Sequence, residues 1–151
     1  MDEAIKQRIL ALLDGHRVMT LATLRPDGWP QATTVGYVND GLTIYFLCGI
    51  GSQKDANITR DNRVSLTIDH DADQVMEITG LSMAARAHAV TDRSEAERVM
   101  QMLPVKYPAQ KSLPGPMPKP EDVRIFRLTP VVISVLDYSK GFGHTDLVTC
   151  S

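Results

Sequence analysis

Two polar residues, Ser52 and Lys54, follow a glycine-rich turn and together could bind a phosphate group. Residues 45–48 predict an apolar strand, residues 49–51 a tight turn, and Ser52 the N-cap of a short helix. Backbone N–H groups and the positive end of the dipole stabilise an anion at a helix N-terminus. Ser52 could donate its hydroxyl, and Lys54 adds a full positive charge where a cation is unfavourable unless an anion is bound. We therefore predict a phosphate site here.

Further residues could serve this site or a reaction beside it. Cys48 ends the apolar strand, where it could be a small buried residue or pack against a ligand. Asn57, further along the short helix, could orient the phosphate-binding turn or simply be solvated. In the glycine-containing tail, His144 is a candidate catalytic residue for proton transfer or substrate anchoring, together with Lys140 and Tyr138.

The composition limits the class of protein. The chain has 151 residues, of which 43% are apolar and 23% charged, and this suits one soluble globular domain. Its formal net charge of −2 gives no basic footprint for nucleic acid or for an anionic membrane. Two cysteines make no disulfide framework, and no cysteine or histidine cluster has metal-ligand spacing. The N-terminus lacks a signal-peptide pattern, and no apolar run is long enough to cross a bilayer, so we expect a cytoplasmic protein.

Periodicity and turn residues predict an antiparallel β-protein with helices at the connections. Strands are expected over 18–24, 30–38, 42–48, 64–69, 74–90, 123–128 and 131–137, and helices over 2–14, 52–61 and 94–103. Gly80 is expected to mark a bulge in the long strand. The single predicted domain, residues 1–151, comprises an N-terminal helix in 1–15, a proline-rich loop in 104–121 and a tail in 138–151. Hairpin turns between six or seven strands favour a closed or nearly closed barrel.

An ordered series of short motifs gives this chain a family resemblance. The motifs are Thr20-Leu-Ala-Thr-Leu24, Asp27-Gly-x-Pro30, Ile44-Tyr-Phe46, Ser52-x-Lys54, Asn57 and Asp61-x-Arg-Val64. Over residues 16–90, and more loosely over 124–137, the chain resembles the pyridoxamine 5′-phosphate oxidase-like family of FMN-binding split-barrel flavoproteins. The resemblance implies a mainly β fold, a six- to seven-stranded antiparallel split β-barrel with Greek-key-like order. It also implies a homodimer with two FMN sites at the subunit interface.

The resemblance implies a set of cofactor-binding residues in this chain. They are Thr33, Thr34 and Val35, then Leu47 and Cys48, then the phosphate-binding Ser52, Gln53 and Lys54, and finally Gln74 from a later strand. Two of these positions depart from the family's oxidases, because Thr33 and Gln53 stand where those enzymes have arginine. An arginine binds phosphate bidentately, which neither threonine nor glutamine can do. The oxidases' C-terminal tryptophan and Arg/His substrate motif is absent as well, which argues against pyridoxamine phosphate oxidation.

The resulting hypothesis is an FMN-dependent oxidoreductase that acts on an unidentified small molecule, with NADH or NADPH as a candidate reductant. In such enzymes the flavin carries the redox chemistry, and the protein binds and orients it, so no nucleophilic motif is required. Three alternatives stay open: a non-catalytic protein that stores or senses FMN, a deazaflavin-binding relative and a haem-binding relative. We expect no nucleic-acid or membrane partner.

Overall fold

An antiparallel β-sheet and three helices build the fold in the computed structural model, which describes residues 1–108 and 118–150. The helices are α1 (Glu3–Asp14), α2 (Gln53–Arg60) and α3 (Arg93–Lys106). The strands are β1 (Val18–Leu24), β2 (Pro30–Gly36), β3 (Val38–Asp40), β4 (Thr43–Gly49), β5 (Arg63–Asp69), β6 (Thr79–Ala89), β7 (Val123–Asp137) and β8 (Thr145–Thr149). Single turns of 3-10 helix cover Val75–Glu77, Pro120–Asp122 and Tyr138–Lys140.

The strand order is β2-β1-β5-β6-β7-β4-β3, and β8 pairs with β7 beside this path. β2 and β3 follow one another in the chain but lie at opposite ends of the path, so the sheet curls round until its two edges meet. In the described part of the chain no ladder joins β2 to β3 or β4. This gap is the split of the barrel. The predicted mainly β, antiparallel split-barrel fold is confirmed.

Strict alternation along the central strands separates the core from the outside of the barrel. In β5 the residues Val64, Leu66 and Ile68 are buried, while Ser65 and Thr67 between them are exposed. The same alternation in β1 and β6 fills the interior, and Ile9, Leu12 and Leu13 of α1 pack against it. A second apolar cluster lies under α3 and holds this helix to β3, β4 and β7.

The hydroxyl of Tyr107, just after α3, bonds the backbone where the chain passes from β2 to β3. It accepts a hydrogen bond from the backbone N–H of Tyr37 at 2.9 Å and bonds the carbonyl of Arg17. Tyr37 is the residue between β2 and β3, so the predicted continuous strand 30–38 is in fact interrupted there. This side chain thus adds to the backbone hydrogen bond from Tyr37 to Arg17, 3.3 Å long, where the chain passes from one edge of the sheet to the other.

The two strands predicted at 123–128 and 131–137 form one strand, β7, which runs through Thr129 and Pro130. Pro130 pairs with Ala85 of β6, whereas the next ladder pair joins Val132 with Ala84. Val131 is therefore an extra, unpaired residue, which is the pattern of a β-bulge. Proline is tolerated at a bulge because its missing N–H costs no ladder bond there. The predicted break is wrong for this reason.

The predicted bulge at Gly80 is also wrong, because Gly80 sits in regular register opposite Asp69 and Leu136. A Cβ atom at this position would lie 2.6 Å from the carbonyl oxygen of Ile68. The glycine is thus required by a close backbone approach. The strand also begins later than predicted, at Thr79, because residues 75–77 form a 3-10 turn.

Two boundaries near the C-terminus differ from those expected. Pro104 lies inside α3, which continues to Lys106, so the proline-rich segment predicted at 104–121 begins with helix. Residues 109–117 of that segment lie outside the described residues. The predicted tail, 138–151, contains the strand β8, which pairs with β7.

Candidate functional site

A pocket of about 320 Å³ lies in the split of the barrel, between β2, β4 and the start of α2. It brings together most of the predicted cofactor-binding residues: Thr33, Val35, Leu47, Cys48, Ser52, Gln53 and Lys54. Three residues that the sequence did not single out complete the lining, namely Thr23, Gln31 and Gly49. The volume falls at the lower end of the range for small-molecule sites.

The turn before α2 is shaped by a glycine and a buried carboxylate. Gly51 has φ +79°, a conformation that L side chains rarely adopt. Its N–H donates to Asp55 Oδ2 at 2.9 Å, and Ser52 Oγ caps the helix by accepting from the N–H of Asp55 at 3.3 Å. The backbone N–H groups of Gln53 and Lys54, in the first turn, have no partner within the helix. They are therefore available to an anion at this end of α2.

Lys54 reaches across the split. Its Nζ donates a 2.8 Å hydrogen bond to Thr33 Oγ1 of β2, which holds the ammonium group at the pocket. Thr33 thus positions a positive charge at the pocket. The contact also joins α2 to the unpaired edge of the sheet.

An ion pair beside the pocket was missed by sequence reasoning. Asp55 is 5% exposed and accepts hydrogen bonds from Thr59 Oγ1 and Arg124 Nε, both at 3.3 Å. Arg124 starts β7 and pairs with Cys48 in the ladder. With Lys54, these two side chains give a net charge of +1 at this end of the barrel. The N-terminus of a helix favours an acidic residue such as Asp55. The local sequence does not indicate, however, that Arg124 pairs with this carboxylate.

Cys48 is a half-buried thiol in the pocket wall. Burial raises the pKa of the Cys48 thiol, and the carboxylate of Asp55 raises it further, against the lowering effects of Ser52, Lys54 and Arg124. The thiol form therefore predominates at neutral pH, and a thiol is a poor nucleophile. This geometry favours packing against a ligand.

Asn57 lies beneath the pocket, with 0% of its surface exposed. Its Nδ2 donates to Thr23 Oγ1 at 3.0 Å and to Gln31 Oε1 at 3.3 Å, and its Oδ1 accepts from Gln53 Nε2 at 2.7 Å. All three partners line the pocket. Asn57, predicted among the cofactor-binding residues as one that could orient the phosphate-binding turn, holds three parts of the pocket wall together.

Two other predicted cofactor residues lie outside this pocket. Thr34 points to the opposite face of β2 from Thr33 and Val35, because successive side chains in a strand alternate. Gln74 lies after the last residue of β5 and just before the 3-10 turn at 75–77. The pocket, by contrast, is near α2, which precedes the first residue of β5. Within one chain, neither side chain lines the pocket.

The three catalytic candidates also lie elsewhere. The pocket is next to the first residues of β7, whereas Tyr138 follows the last residue of that strand. Lys140 lines a separate cavity of about 230 Å³ beside α1. His144 Nε2 lies 3.3 Å from Asp146 Oδ2, in the same corner of the molecule. A single chain therefore does not bring these three residues to the pocket in the split.

Among the residues that the structure describes, no three His, Cys, Asp or Glu side chains gather in a metal-binding arrangement. No helix of the described chain combines the length and the apolar character that a membrane span requires.

Comparison with known proteins identifies the family. The sequence profile described as pyridoxamine 5′-phosphate oxidase matches residues 5–137, which is most of the chain. The chain belongs to this family. The match includes every strand that lines the pocket and ends at the last residue of β7. Family membership alone does not distinguish among its activities, since known relatives have different names and ligands.

General stress protein 26 of Bacillus subtilis (strain 168) is 29% identical over 93 residues, which cover 59% of this chain and 66% of that protein, just under two thirds. A solved structure of a candidate pyridoxamine 5′-phosphate oxidase from Listeria innocua is 23% identical, covers 88% of this chain and 98% of its own, and superposes with a TM-score of 0.72. A haem-binding protein from Mycobacterium smegmatis is 20% identical with a TM-score of 0.74, covering 99% of this chain and 58% of its own. These two structural likenesses support the fold alone.

Proposed function

We propose that this protein binds FMN in the pocket of the split barrel and acts as an FMN-dependent oxidoreductase on a small molecule. The observation that carries the proposal is the Lys54–Thr33 contact, 2.8 Å long, at the capped N-terminus of α2. It holds an ammonium group at one end of the pocket, beside the first N–H groups of α2.

The residues present suit such a cofactor. The Ser52 hydroxyl, the first N–H groups of α2 and the Lys54 ammonium would hold the phosphate. Val35 and Leu47 would offer apolar contact to a flat ring, with Cys48 beside them. The flavin, when bound, supplies hydride and electron transfer. The chain's own contribution is to bind the phosphate, orient the ring and limit access of water from the core side.

A homodimer would explain why the predicted site residues fall into two groups. Gln74 and the turn at Tyr138 lie together, since the Tyr138 N–H donates to the carbonyl of Ile78 at 2.9 Å. Beside them, Met76 and Phe142 expose apolar side chains, and Phe142 is 79% exposed. Exposed apolar patches commonly mark interfaces. We propose that in a twofold dimer this patch covers the pocket of the partner, so that each cofactor lies between two subunits.

Pyridoxamine phosphate oxidation itself is not the activity that the geometry favours. The single tryptophan, Trp29, lies in the β1–β2 turn with 72% of its surface exposed, and not in the tail. Thr33 in place of an arginine leaves the pocket with less positive charge for phosphorylated ligands. A different small-molecule substrate, reduced or oxidised by way of the flavin, fits these departures better.

A second candidate function is haem binding, since the Mycobacterium smegmatis structure is that of a haem-binding protein. Haem iron in proteins is commonly held by histidine. None of the four histidines is among the side chains that line the pocket in the described structure. The pocket's hydroxyl, amide and ammonium groups are suited instead to a phosphate, so the flavin proposal is preferred.

Reconstitution with cofactor and a visible spectrum test the proposal. We expect the desalted protein to retain FMN and show the two absorption bands of an oxidised flavin. Loss of these bands on addition of NADH or NADPH, without air, would support an oxidoreductase over a storage protein. A Soret band after exposure to haem with no retention of FMN would overturn the flavin assignment. Retention of a deazaflavin but not of FMN would show that the pocket binds a deazaflavin in place of FMN.

A further inference from the structure

Two histidines from distant parts of the chain meet at one end of the barrel. His16 lies between α1 and β1, and His70 follows the last residue of β5. His16 Nε2 is 3.4 Å from His70 Nδ1, although the two residues are 54 positions apart in the sequence. In the part of the chain that the structure describes, neither side chain lines the pocket in the split. The pair is therefore separate from the pocket to which FMN binding is assigned.

The end of α1 fixes the orientation of the His16 ring. His16 Nδ1 is 2.7 Å from the carbonyl oxygen of Leu12, which belongs to the last turn of the helix, where carbonyl groups have no partner within the helix. A carbonyl oxygen only accepts hydrogen bonds, so Nδ1 carries the proton and Nε2 carries a lone pair. Metal-ligating histidines commonly donate their second ring N–H to a backbone carbonyl in this way. The nitrogen that is left to bind a metal is the one beside His70.

The distances between the two rings match those of two imidazoles on one metal ion. The ring centroids are 5.5 Å apart and the ring planes differ by 23°. The centroids are farther apart than the two nitrogens, so these nitrogens lie on the facing sides of the rings. Zinc–nitrogen bonds are about 2.0–2.1 Å long, so an ion bonded to both atoms at this spacing would have an N–Zn–N angle of about 110°, close to tetrahedral. A direct N–H···N hydrogen bond would prefer a shorter distance, of about 3 Å.

The electrostatic surroundings of the pair favour a cation. The C-terminus of α1 is the negative end of the helix dipole, and the last turn of this helix contains no basic residue. The two short segments that contain the histidines, residues 14–17 and 69–73, carry four exposed carboxylates and one exposed arginine. These residues are Asp14, Asp69, Asp71, Asp73 and Arg17. An excess of negative charge raises the local concentration of a divalent cation.

We propose that His16 and His70 form a binding site for a divalent transition-metal ion such as Zn²⁺, Ni²⁺ or Cu²⁺. Imidazole nitrogen suits these ions, whereas Mg²⁺ and Ca²⁺ prefer oxygen ligands. Among the described residues no third His, Cys, Asp or Glu side chain joins the pair in a metal-binding arrangement, so water or a small anion completes the coordination.

The bound ion would connect the end of α1 to the segment after β5, which contains Gln74. The unfolded chain does not hold the two histidines together, so the free energy of metal binding stabilises the folded state. The site does not rest on the FMN proposal, because its ligands and its ion are different. It would make the stability of the protein depend on the supply of metal.

Isothermal titration calorimetry of the full chain, freed of metal with EDTA and desalted, tests the site with NiCl₂. We expect one Ni²⁺ per chain and no binding of Mg²⁺ from MgCl₂. His16→Gln and His70→Gln should each weaken Ni²⁺ binding by about tenfold or more, because each removes one of the two protein ligands. His88→Gln, which removes an exposed histidine of β6, is the matched control and should bind Ni²⁺ as the wild type does.

The melting temperature gives a second readout. With free Zn²⁺ at about a hundredfold above its Kd, the wild type should melt about 5–10 °C higher than in EDTA. His70→Gln should lack this shift. His70 is exposed, so its replacement should leave the fold intact, and this variant remains decisive if His16→Gln folds poorly after losing its contact with Leu12.

The proposal is overturned if the wild type binds no Ni²⁺, or if His16→Gln and His70→Gln both bind it as tightly as the wild type. Equal weakening in His88→Gln would overturn it as well, because the heat would then come from scattered surface histidines. One ion for every two chains would mean that the metal bridges two copies and not the two histidines of one chain. Each of these outcomes concerns metal binding alone, so it is distinguishable from a failure of the flavin proposal.

Discussion

Replacement of Asn57 by alanine tests whether the network beneath the pocket holds the site together. The side chain makes three hydrogen bonds, of 2.7, 3.0 and 3.3 Å, to Gln53, Thr23 and Gln31. Each buried bond contributes about 1 kcal/mol, so we expect Asn57→Ala to lower the free energy of unfolding by about 3 kcal/mol. In a chain of this length that corresponds to a fall in Tm of about 6–12 °C.

A second variant at the same position separates lost hydrogen bonds from altered charge. Asn57→Asp can keep its hydrogen bonds, because the Thr23 hydroxyl can donate and the Gln31 amide can turn over. The cost is then the burial of a charge, which raises the pKa of the new carboxyl above its usual range. Since the folded-state pKa would be raised, the variant should lose stability above that pKa and regain it as the pH falls and the carboxyl takes up a proton. Asn57→Ala should show no such recovery.

Urea denaturation at several pH values measures both effects, with Asn39→Ala as the control. Asn39 is half-buried and donates to Gly41 O at 3.0 Å, and its loss should cost about 1 kcal/mol or less. A loss of less than 1 kcal/mol for Asn57→Ala would refute the claim that this network stabilises the fold. An identical pH dependence of Asn57→Ala and Asn57→Asp would refute the charge-burial argument.

Two other predictions concern the scaffold. Gly80→Ala should destabilise the protein by about 1–3 kcal/mol in denaturant titrations, because its Cβ would come within 2.6 Å of Ile68 O; unchanged stability would show that the backbone relaxes freely. Burial lowers the pKa of Lys106 to about 8, so the unfolded chain binds more protons than the folded one between about pH 8 and 10.5. The wild type should therefore gain stability relative to Lys106→Met as the pH rises through that range, and a constant difference would contradict the shift.

Local signals were sufficient for the first half of the fold. Asp27-Gly28 and Asp40-Gly41 lie at the tight turns of the hairpins, and both glycines have positive φ. Because glycine adopts this conformation readily, such turns can be predicted from the sequence. Ser52 caps α2 as expected from its residue type. These features depend on a few neighbouring residues, so a single chain contains enough information to place them.

The errors came from features that depend on distant parts of the chain. Pro130 suggests a break, but a bulge against β6 lets the strand continue, and this is a property of the ladder and not of the proline. Gly80 suggests a bulge, although its role is to let the backbone pass Ile68. The strand β8 has no strong pattern of its own and exists because β7 offers it an edge.

Helix capping indicated Ser52 and Lys54, whereas Thr33 and Val35 were predicted from the family resemblance, and strand alternation explains which of the β2 residues line the pocket. Thr33, Val35 and Lys54 meet in the pocket, whereas the alternation that places Thr33 inward also excludes Thr34. Arg124 was missed because its contact with Asp55 spans 69 residues of sequence. Long-range ion pairs leave no local pattern that a sequence could reveal.

Parallel titration of the cofactor-free protein with FMN and with riboflavin tests the central claim most directly. The two ligands share the ring and differ in the phosphate, so their affinity ratio isolates the site at Ser52 and Lys54. We expect FMN to bind roughly 10- to 100-fold more tightly, as a charge-assisted phosphate contact of about 1.5–3 kcal/mol implies. In Lys54→Ala this ratio should fall sharply, and in the control Arg93→Ala, an exposed cation on α3, it should not change. Equal affinities of the wild type for FMN and riboflavin would contradict the phosphate site.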